Sequence, residues 1–580
     1  MRAPAAPLPP FRHIALLVAA VWLAFAVGSL LMRGTSLSAW PDPDDAMRAV
    51  EVRDLIAGQD WHDPHQTRLD PAAGNGTGVA MHWSRLVDAP IAAIIVALTP
   101  LVGGQAAEHV ALLMWPLIPA LLLFPAAGFI GWRIAGRNGA ILAVIGTAFS
   151  AALVTVYAPG RIDHHNIQIA LAVTVIAALT AASARAAPAI VAGLCSGLSL
   201  AIGMETLPYL AFGGVSAALT WAFDRESHPY RFSIYAASFL TAAALGMAAS
   251  GAPDTWLNPV CDTVSAVYLG PLAAAALIGL LPLPRLAAIG IAAIAAVALV
   301  WLQNPVCLSG PYAAVDPRLF TEWMDHIREA RSAAALIDAS PVSFFGIIAV
   351  PLLALLAVAT VQTTPARIAG VALAIAVALA LWQVRTLPFA AVLGAPILAA
   401  VAARRFGSGP PALILAGLVS NPLLIVALAS MLTFRLFPLT PAMEAARTST
   451  AETACLNRSA YAPLATLPPG LVLGNIAFGP LILAETPHTV LAAPYHRNTA
   501  GILDAVAALT GTPAEAEAII RRRGVSYLAL CARSNEMAER RAANPANLFD
   551  ALKRGERIPW LEQIAVTIDG SMVVYRVLPP

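Results

Sequence analysis

Long apolar segments recur along most of this chain, and they constrain its fold more than any other feature. A helix needs about 20 apolar residues to cross the hydrocarbon core of a bilayer. Because no water is available there, a spanning segment must satisfy its own backbone hydrogen bonds, as a helix does. Of the 580 residues, 59% are hydrophobic and 12% are charged, which excludes an ordinary soluble protein. We therefore predict a polytopic α-helical membrane protein.

Fourteen segments have this length and composition. They lie at residues 13–32, 86–103, 109–131, 139–157, 166–184, 188–204, 206–222, 233–250, 265–282, 286–302, 342–362, 368–384, 387–403 and 411–433. Arg2 and Arg12 precede the first segment, and no small-residue cleavage site follows it. We therefore expect a retained first membrane helix rather than a removed signal peptide.

Arginine placement predicts the orientation of these segments, because cytoplasmic loops collect arginine and lysine. The arginines of the short connections share one face only if segment 86–103 does not cross the membrane. That segment contains Pro90 and Pro100, so we expect it to lie along the outer interface or to be re-entrant. Thirteen spans then remain in the inner (plasma) membrane, with the N-terminus in the cytoplasm. The arginines are Arg133, Arg137, Arg185, Arg225, Arg231, Arg285, Arg367, Arg404 and Arg405.

The sequence changes character after the predicted transmembrane domain, which covers residues 1–433. Residues 434–580 have ordinary charge density, turn signals and mixed helix and strand patterns, which predict a soluble α/β domain. The topology places this domain in the periplasm. It also brings the loops 33–85, 158–165 and 303–341 to the same outer face, where a polar site built from several loops is expected.

The stretch Gly160–His165 carries an arginine, an aspartate and two histidines between two apolar segments. Such groups are costly at a membrane boundary unless they have partners, so they mark a candidate site. In an extended turn Asp163 and His165 project to the same side. Together they could bind one divalent cation, and the oxygen ligand favours Mn²⁺ or Mg²⁺. The alternative is a polar helix cap in which Asp163 accepts backbone N–H groups.

Further carboxylates lie in the predicted outer loops. Asp44 and Asp45 belong to an acidic run that suits a metal or a general base, although either residue could instead cap a helix starting near Ala46. Glu329 lies in a charged stretch with a helical pattern, within a loop long enough to form a functional lid or a solvated helix. Glu205 is an acid at an outer helix junction, where it contacts substrate or caps a helix.

Two sets of cationic residues are candidates for binding. Arg385 begins the outer end of a span, where it could hold a lipid phosphate or extend towards the interface. In the tail, the polar run Tyr495–Asn498 follows a strand-like run, as a loop at a strand end would. Such loops commonly carry function, so we predict that this run binds the acceptor through His496 and Arg497. The alternative is a surface turn.

Five cysteines are present, and four of them fall outside the apolar segments. An oxidising compartment would permit the disulfides Cys261–Cys307 and Cys455–Cys531. Cys195 lies within a span and is expected to be part of the core.

Motifs within residues 1–440 resemble those of GT-C membrane glycosyltransferases, most closely the catalytic subunit of oligosaccharyltransferases. The motifs are His82-Trp83-x-Arg85-Leu86-x-Asp88, the turn Arg133-x-x-Gly136-Arg137 and Gly160–His165. That family has thirteen spans followed by an extracytoplasmic domain. Its W-W-D-Y-G motif, which reads the peptide sequon, is absent here, and residues 474–480 stand in the corresponding place.

The resemblance implies transfer of a sugar or oligosaccharide from a polyprenyl-(di)phosphate donor on the extracytoplasmic face. Without the sequon motif, the expected acceptor is a lipid or a glycan. The implied cofactor is Mn²⁺ or Mg²⁺. The implied residues are Asp44 or Asp45, Asp163 and His165 for the metal, Asp44, Asp45 and Glu329 for catalysis, and Arg385 and Arg161 for the donor phosphate.

Two other functions are compatible with the sequence. A transporter or binding protein for a lipid-linked substrate would also carry polar residues among its spans, although here they cluster at outer helix ends. A GT-C-shaped protein without activity would have the same motifs. The net charge of +2 gives no argument for a nucleic-acid partner, and none is expected.

Overall fold

Helices occupy all fourteen apolar segments in this computed structural model. The model describes residues 11–580 except 254–255, 257, 408, 438–452, 533 and 568. The early helices are α1 (Phe11–Arg33), α2 (Pro43–Ile56), α3 (Arg85–Val102), α4 (Gly104–Met114), α5 (Leu117–Ala148), α6 (Leu153–Val156), α7 (His165–Leu179), α8 (Ala187–Ile202), α9 (Leu207–Phe223) and α10 (Arg231–Ser250). The later apolar helices are Ala266–Ile278, Arg285–Gln303, Pro341–Ala359, Thr364–Trp382, Leu387–Phe406, Pro410–Val419 and Pro422–Leu436.

The chain is a polytopic helical membrane protein. Among the described residues, eight helices are long and apolar enough to cross a bilayer, or nine if the bent pair ending at Leu436 is one span. Shorter apolar helices such as α7, α8 and α9 accompany them. The total of thirteen crossings stays a prediction. So does the interfacial position of α3, which meets the criteria for a span by length and composition alone.

Helix α5 is two antiparallel helices joined by a tight turn. Ala135 and Gly136 leave helical geometry, and Gly136 has φ +63°, a value that favours glycine. The two halves then pack so closely that a Cβ on Gly131 would lie 2.3 Å from the carbonyl oxygen of Gly139. Glycines permit such close helix approach in membranes. The turn lies where the sequence predicted a short connection between two spans.

Several arginines of the predicted cytoplasmic face meet at one end of the bundle. Arg133 donates to the carbonyl of Thr180 at the end of α7, at 2.7 Å, and Arg404 donates to Ile134 at 3.0 Å. Arg285 donates to Trp221 near the end of α9, at 2.5 Å. Each guanidinium satisfies a carbonyl that a helix C-terminus leaves free. The polar loops described below lie at the other end of α7.

The first outer loop contains α2, which begins earlier than expected. Asp42 is its N-cap and accepts the N–H of Asp44 at 3.1 Å, and Pro43 is the first helical residue. Proline favours this position because its missing N–H would be unpaired there anyway. The prediction that Asp44 or Asp45 caps the helix is therefore wrong. Both lie in its first turn, with Asp45 fully buried.

The loop 303–341 consists of short pieces rather than the continuous helical pattern expected around Glu329. They are the 3₁₀ turns Pro305–Ser309, Met324–His326 and Arg328–Ala330 and the short helices Pro317–Glu322 and Ala333–Ala339. The helix ends at Glu322, and Ile327 is extended, with ψ 123°. Leu319 and Trp323 are buried in a core shared with the C-terminal region. Burial of these two side chains interrupts the helix that the charged periodicity predicts.

The C-terminal region contains a five-stranded sheet with the order β4-β3-β5-β7-β6. Its strands are β3 (Leu471–Gly474), β4 (Thr489–Val490), β5 (Val525–Cys531), β6 (Leu561–Val566) and β7 (Met572–Val577), while β1 (His65–Gln66) and β2 (Val79–Ala80) form a separate hairpin. Strands β4, β3 and β5 are parallel, and β5, β7 and β6 are antiparallel. The helix Ala462–Ala465 precedes the sheet, and the helices between its strands are Gly479–Glu485, Thr499–Thr510, Pro513–Arg523, Ala538–Ala543 and Leu548–Lys553. This mixed sheet confirms the α/β prediction.

The first outer loop and the C-terminal region are joined through their backbones. Val490 N donates to Arg68 O at 2.9 Å, and Asp70 N donates to Val490 O at 2.8 Å. Trp40 N donates to Leu456 O at 3.0 Å. The two bonds of Val490 cover the free edge of β4, which would otherwise be unpaired. The two parts also share one hydrophobic core, so loop and tail form one structure.

Both predicted disulfides are present. Cys261–Cys307 joins two loops, with Cα atoms 5.2 Å apart, and Cys455–Cys531 lies within the C-terminal region, with Cα atoms 6.1 Å apart. Cys195 is free and lies in α8.

Candidate active site at the outer end of the bundle

The turn before α7 is held in place by Asp45. One of its oxygens, Oδ1, accepts the backbone N–H of Ile162 at 2.7 Å and that of Asp163 at 3.0 Å. Its Oδ2 lies 3.2 Å from a guanidinium nitrogen of Arg161. Two loops that are far apart in the sequence are thus joined through one fully buried carboxylate.

Arg161 lies between three aspartates. Its guanidinium is 3.2 Å from Asp42, 3.2 Å from Asp45 and 2.5 Å from Asp163. A charge-assisted contact of this kind is strong in a site that is shielded from water. Arg161 therefore balances part of a concentrated negative charge.

Asp163 both accepts the N–H of the first residue of α7 and faces the charged cluster. Its Oδ1 accepts the N–H of His165 at 3.0 Å, as the cap interpretation requires. Its Oδ2 lies 2.5 Å from Arg161 and 3.0 Å from the imidazole Nδ1 of His165. Burial alone would raise the pKa of Asp163, but these two cationic neighbours hold it well below its usual range.

His165 links Asp163 to Glu205. Its Nε2 lies 2.9 Å from Glu205 Oε2, and the same oxygen lies 3.5 Å from His164 Nε2. Despite burial, the two imidazoles hold the pKa of Glu205 well below its usual range. The sequence marked Glu205 only as an acid at a helix junction. The fold places that junction, between α8 and α9, beside the start of α7.

Asp44 has a different environment from Asp45. Its Oδ1 accepts a hydrogen bond from the Tyr495 hydroxyl at 3.1 Å, and it forms no ion pair with a described arginine, lysine or histidine. Burial raises the pKa of Asp44 to about 8, and the nearby carboxylates of Asp42, Asp163 and Glu329 add to the effect. The charge of His165 offsets these effects only in part.

Glu329 and Arg385 lie on adjacent 3₁₀ turns at the edge of the cluster. The turns are tied together by the backbone bond from Val384 N to Arg331 O at 3.0 Å. The Glu329 side chain is exposed, yet the surrounding protein, Asp42 and Glu205 raise its pKa. The Arg385 Nε donates to Gln383 at 2.9 Å.

His496 and Arg497 dock the C-terminal region onto the membrane domain. Arg497 forms a two-pronged pair with Asp262 at 2.7 and 2.8 Å, and His496 Nε2 lies 2.8 Å from the same carboxylate. Arg497 also donates to the carbonyls of Ala80 and Met81, at 3.3 and 3.2 Å. These contacts give both side chains a role in docking, and their predicted role in acceptor binding stays a prediction.

A buried cationic and aromatic wall supports the cluster from behind. Arg48 forms an ion pair with Asp88 at 2.6 Å, both side chains being 1% exposed, and lies 3.3 Å from His164 Nδ1. Its guanidinium stacks over the Trp83 ring at 4.2 Å from the centroid. The sequence motif around Trp83 and Asp88 thus forms the wall of the site.

The donor set fits a divalent cation. Asp45 Oδ2 and His165 Nδ1 are both buried. Asp45 Oδ2 faces Arg161 at 3.2 Å and His165 Nδ1 faces Asp163 at 3.0 Å, as ion-pair contacts. Carboxylate oxygens and an imidazole are ligands that Mn²⁺ accepts. His164, His165 and Glu205 form a second possible ligand set, since each offers one ligand atom and these atoms lie within 4.8 Å of one another. A cation could bind these three residues instead of the predicted set.

The fold therefore brings the predicted residues of three loops to one end of the bundle. Sequence reasoning missed the partners that connect them, namely Tyr495 with Asp44, Glu205 with His165, and Asp262 with Arg497. No pattern in the sequence signals these pairs, because each joins side chains from different loops.

Comparison with solved structures identifies the architecture. The archaeal oligosaccharyltransferase AglB from Archaeoglobus fulgidus, in complex with an inhibitory peptide and a dolichol-phosphate, aligns with 96% of this chain and 74% of its own, with a TM-score of 0.59 and 15% identity. This chain has the GT-C fold. No family model and no curated protein matches the sequence.

Two further structures of the Archaeoglobus fulgidus enzyme share the GT-C fold with this chain. The form tethered to an acceptor peptide containing the NVT sequon has a TM-score of 0.54 and 14% identity, over 97% of this chain and 74% of that one. The complex with Zn and sulfate has a TM-score of 0.51 and 15% identity, over 96% and 74%. At such identities the likeness establishes the fold, and the site must be argued from its own residues.

Proposed function

We propose that this protein is a metal-dependent membrane glycosyltransferase. It would move a sugar or oligosaccharide from a polyprenyl-(di)phosphate donor to an acceptor on the extracytoplasmic face. The observation that carries the proposal is the charged cluster of Asp44, Asp45, Asp163, His165 and Glu329, assembled from three loops in a GT-C fold. AglB, which shares this fold, has been solved with a dolichol-phosphate.

The proposed cation is Mn²⁺ or Mg²⁺, held by Asp163, His165 and a first-loop aspartate. Asp44 supports this role because it forms no ion pair with a described cationic residue, and Asp45 supports it through Oδ2, which is buried and faces Arg161. When bound, the cation would act as a Lewis acid on the donor phosphate. The contacts of Asp45 with Arg161 and with the N–H of Asp163 hold the turn that carries Asp163 against α2.

The chain's own residues would then serve the two substrates. Arg385, on the turn next to that of Glu329, would bind the donor phosphate and stabilise the charge that develops on it, and Arg161 would add a second positive charge nearby. Glu329 would accept the proton of the attacking acceptor hydroxyl, since its raised pKa suits a general base. The new bond joins the acceptor oxygen to the anomeric carbon, while the bond from that carbon to the phosphate oxygen breaks and leaves the lipid phosphate.

A lipid or glycan acceptor is proposed in preference to a peptide sequon. In the place of the sequon-reading motif, the backbone N–H groups of Ile476 and Ala477 bind the Glu536 carboxylate, both at 2.9 Å. These groups are thus occupied within the protein. We also propose that residues 434–580 form a periplasmic domain and that residues 1–433 form the transmembrane domain.

A reconstituted assay tests the proposal. The purified protein in nanodiscs is supplied with synthetic polyprenyl-phosphate and polyprenyl-diphosphate sugars carrying a radiolabel, together with membrane lipids as acceptors. Mn²⁺- or Mg²⁺-dependent appearance of label in a new lipid or glycan supports it. Mass spectrometry of glycolipids and lipopolysaccharide from wild-type and deletion strains identifies the product.

The same assay separates the transferase from a transporter or binding protein. Such a protein would retain or move the donor without breaking its sugar–phosphate bond. Intact donor after prolonged incubation, together with unchanged glycolipid and lipopolysaccharide profiles in the deletion strain, would contradict the proposed function.

A further inference from the structure

Tyr495 connects the C-terminal region directly to the candidate active site. Its hydroxyl donates to Asp44 Oδ1 at 3.1 Å, across 451 residues of sequence. The side chain is 3% exposed, so this hydrogen bond is shielded from bulk water. A phenol is protonated at neutral pH and can therefore act as the donor.

The position of this hydroxyl is fixed by its surroundings. The Tyr495 ring packs edge-on against Trp83, with centroids 5.1 Å apart, and Trp83 itself lies under Arg48. The two residues that follow Tyr495 both bind Asp262. Asp262 is adjacent to Cys261, whose disulfide fixes that loop. The phenol therefore has little freedom to turn away from Asp44.

We propose that Tyr495 is a positioning residue that holds the Asp44 carboxylate for binding the divalent cation. The inference rests on the proposed function, since it assigns Asp44 to the metal. A group that orients a metal ligand commonly changes metal affinity about 10–100-fold when it is removed. The C-terminal region thus contributes a residue to the site.

The test measures Mn²⁺ binding to the purified full-length protein by electron paramagnetic resonance. We expect Tyr495→Phe to raise the Mn²⁺ dissociation constant about 10–100-fold while keeping the ring packed against Trp83. Tyr461→Phe is the matched control, because its buried hydroxyl donates to Cys455 O at 2.8 Å, away from the site. It should leave the constant within about twofold of wild type, well short of the effect of a lost metal-orienting group.

A double-mutant cycle distinguishes positioning from a general loss of structure. If Tyr495 acts through Asp44, adding Tyr495→Phe to Asp44→Asn should not weaken Mn²⁺ binding further. Additive effects of the two changes, or a Tyr495→Phe protein with the wild-type Mn²⁺ dissociation constant, would overturn the role of Tyr495 but not the metal site. Wild-type protein that binds no Mn²⁺ would overturn the metal site and this inference together.

Discussion

At the scale of single residues, the two carboxylate oxygens of Asp163 make different contacts. One caps α7 through the N–H of His165, and the other faces Arg161 and His165. The cap and the metal ligand, which the sequence presents as alternatives, are therefore compatible. A substitution that preserves the cap but removes the charge separates their contributions.

Asp163→Asn should reduce glycosyl transfer by on the order of 10²–10³, the usual effect of losing one preorganised electrostatic partner. Asparagine can still accept the N–H of His165, so folding and membrane insertion should be retained. Initial rates in the nanodisc assay, with size-exclusion profiles as a check of folding, measure this.

The matched control is Asp316→Asn. Asp316 also accepts a backbone N–H at a helix start, from Arg318 at 2.9 Å, but it lies outside the cluster. Its substitution should leave transfer unchanged. Wild-type activity of the Asp163→Asn protein would reduce Asp163 to a structural cap.

The candidate residues could be predicted from sequence because charged groups beside apolar segments are rare and costly. That argument identified Asp44, Asp45, Asp163 and His165. It could not separate Asp44 from Asp45, because both lie in the same helical turn. Only the fold gives Asp45 two backbone N–H partners and leaves Asp44 with Tyr495.

At the scale of structural elements, the length of the apolar segments predicted where the apolar helices lie. A helix must have about 20 apolar residues to cross a bilayer, so this length is visible in the sequence. The loop 303–341 was predicted less well. Its charged periodicity resembles that of a helix, but burial of Leu319 and Trp323 against the C-terminal region divides it. Local pattern cannot anticipate a partner more than a hundred residues away.

The docking of the loop Tyr495–Arg497 should depend on Arg497. Arg497→Ala leaves the Asp262 carboxylate, whose side chain is 15% exposed, with His496 as its remaining ion-pair partner among the described residues. Removing one partner of a largely buried pair costs about 3 kcal/mol at the lower end of the usual range. Hydrogen exchange should therefore speed up in peptides covering 489–500.

Arg554→Ala is the control for this change. Arg554 pairs with Glu556 at 2.6 Å, but both side chains are about half exposed, at 49% and 50%. Such surface pairs contribute little to stability. Equal exchange rates in the two variants would show that the Asp262 pair does not secure the loop.

The disulfide Cys261–Cys307 should stabilise the loop that presents Asp262. Replacing both cysteines by serine should cost about 2–4 kcal/mol, because the unfolded chain regains freedom. A lower unfolding temperature than that of Cys195→Ser, which removes a free thiol, would be the expected result. Peptide mapping of non-reduced protein that finds Cys261 and Cys307 unlinked would contradict the pairing itself.

At the scale of the whole molecule, arginines define one end of the bundle and carboxylates the other. Arg133 and Arg404 satisfy carbonyls at the first end, while Asp45, Asp163 and Glu205 meet at the second. The positive-inside rule predicts that the carboxylate end lies outside the cytoplasm. This predicted orientation depends on which charged residues the fold brings to the same end of the bundle.

Reporter fusions test this orientation. Alkaline phosphatase, which needs the periplasm, should be active when fused after Gly103 or Pro580 and inactive after Gly136. The first fusion tests whether α3 stays outside, and the second and third test the tail and the turn of α5. Active phosphatase after Gly136 would reverse the orientation, and inactive enzyme after Gly103 would make α3 a true span.

The pairing of the first outer loop with β4 has a consequence for biosynthesis. Ribosomes deliver the chain from its N-terminus, so Asp44 is made long before its partner Tyr495, 451 residues later. Until then the nascent loop also lacks Val490, which binds Arg68 and Asp70. Asp44 therefore acquires its hydrogen-bond partner only when translation is almost finished, so a truncated chain would display the acidic loop without completing the site.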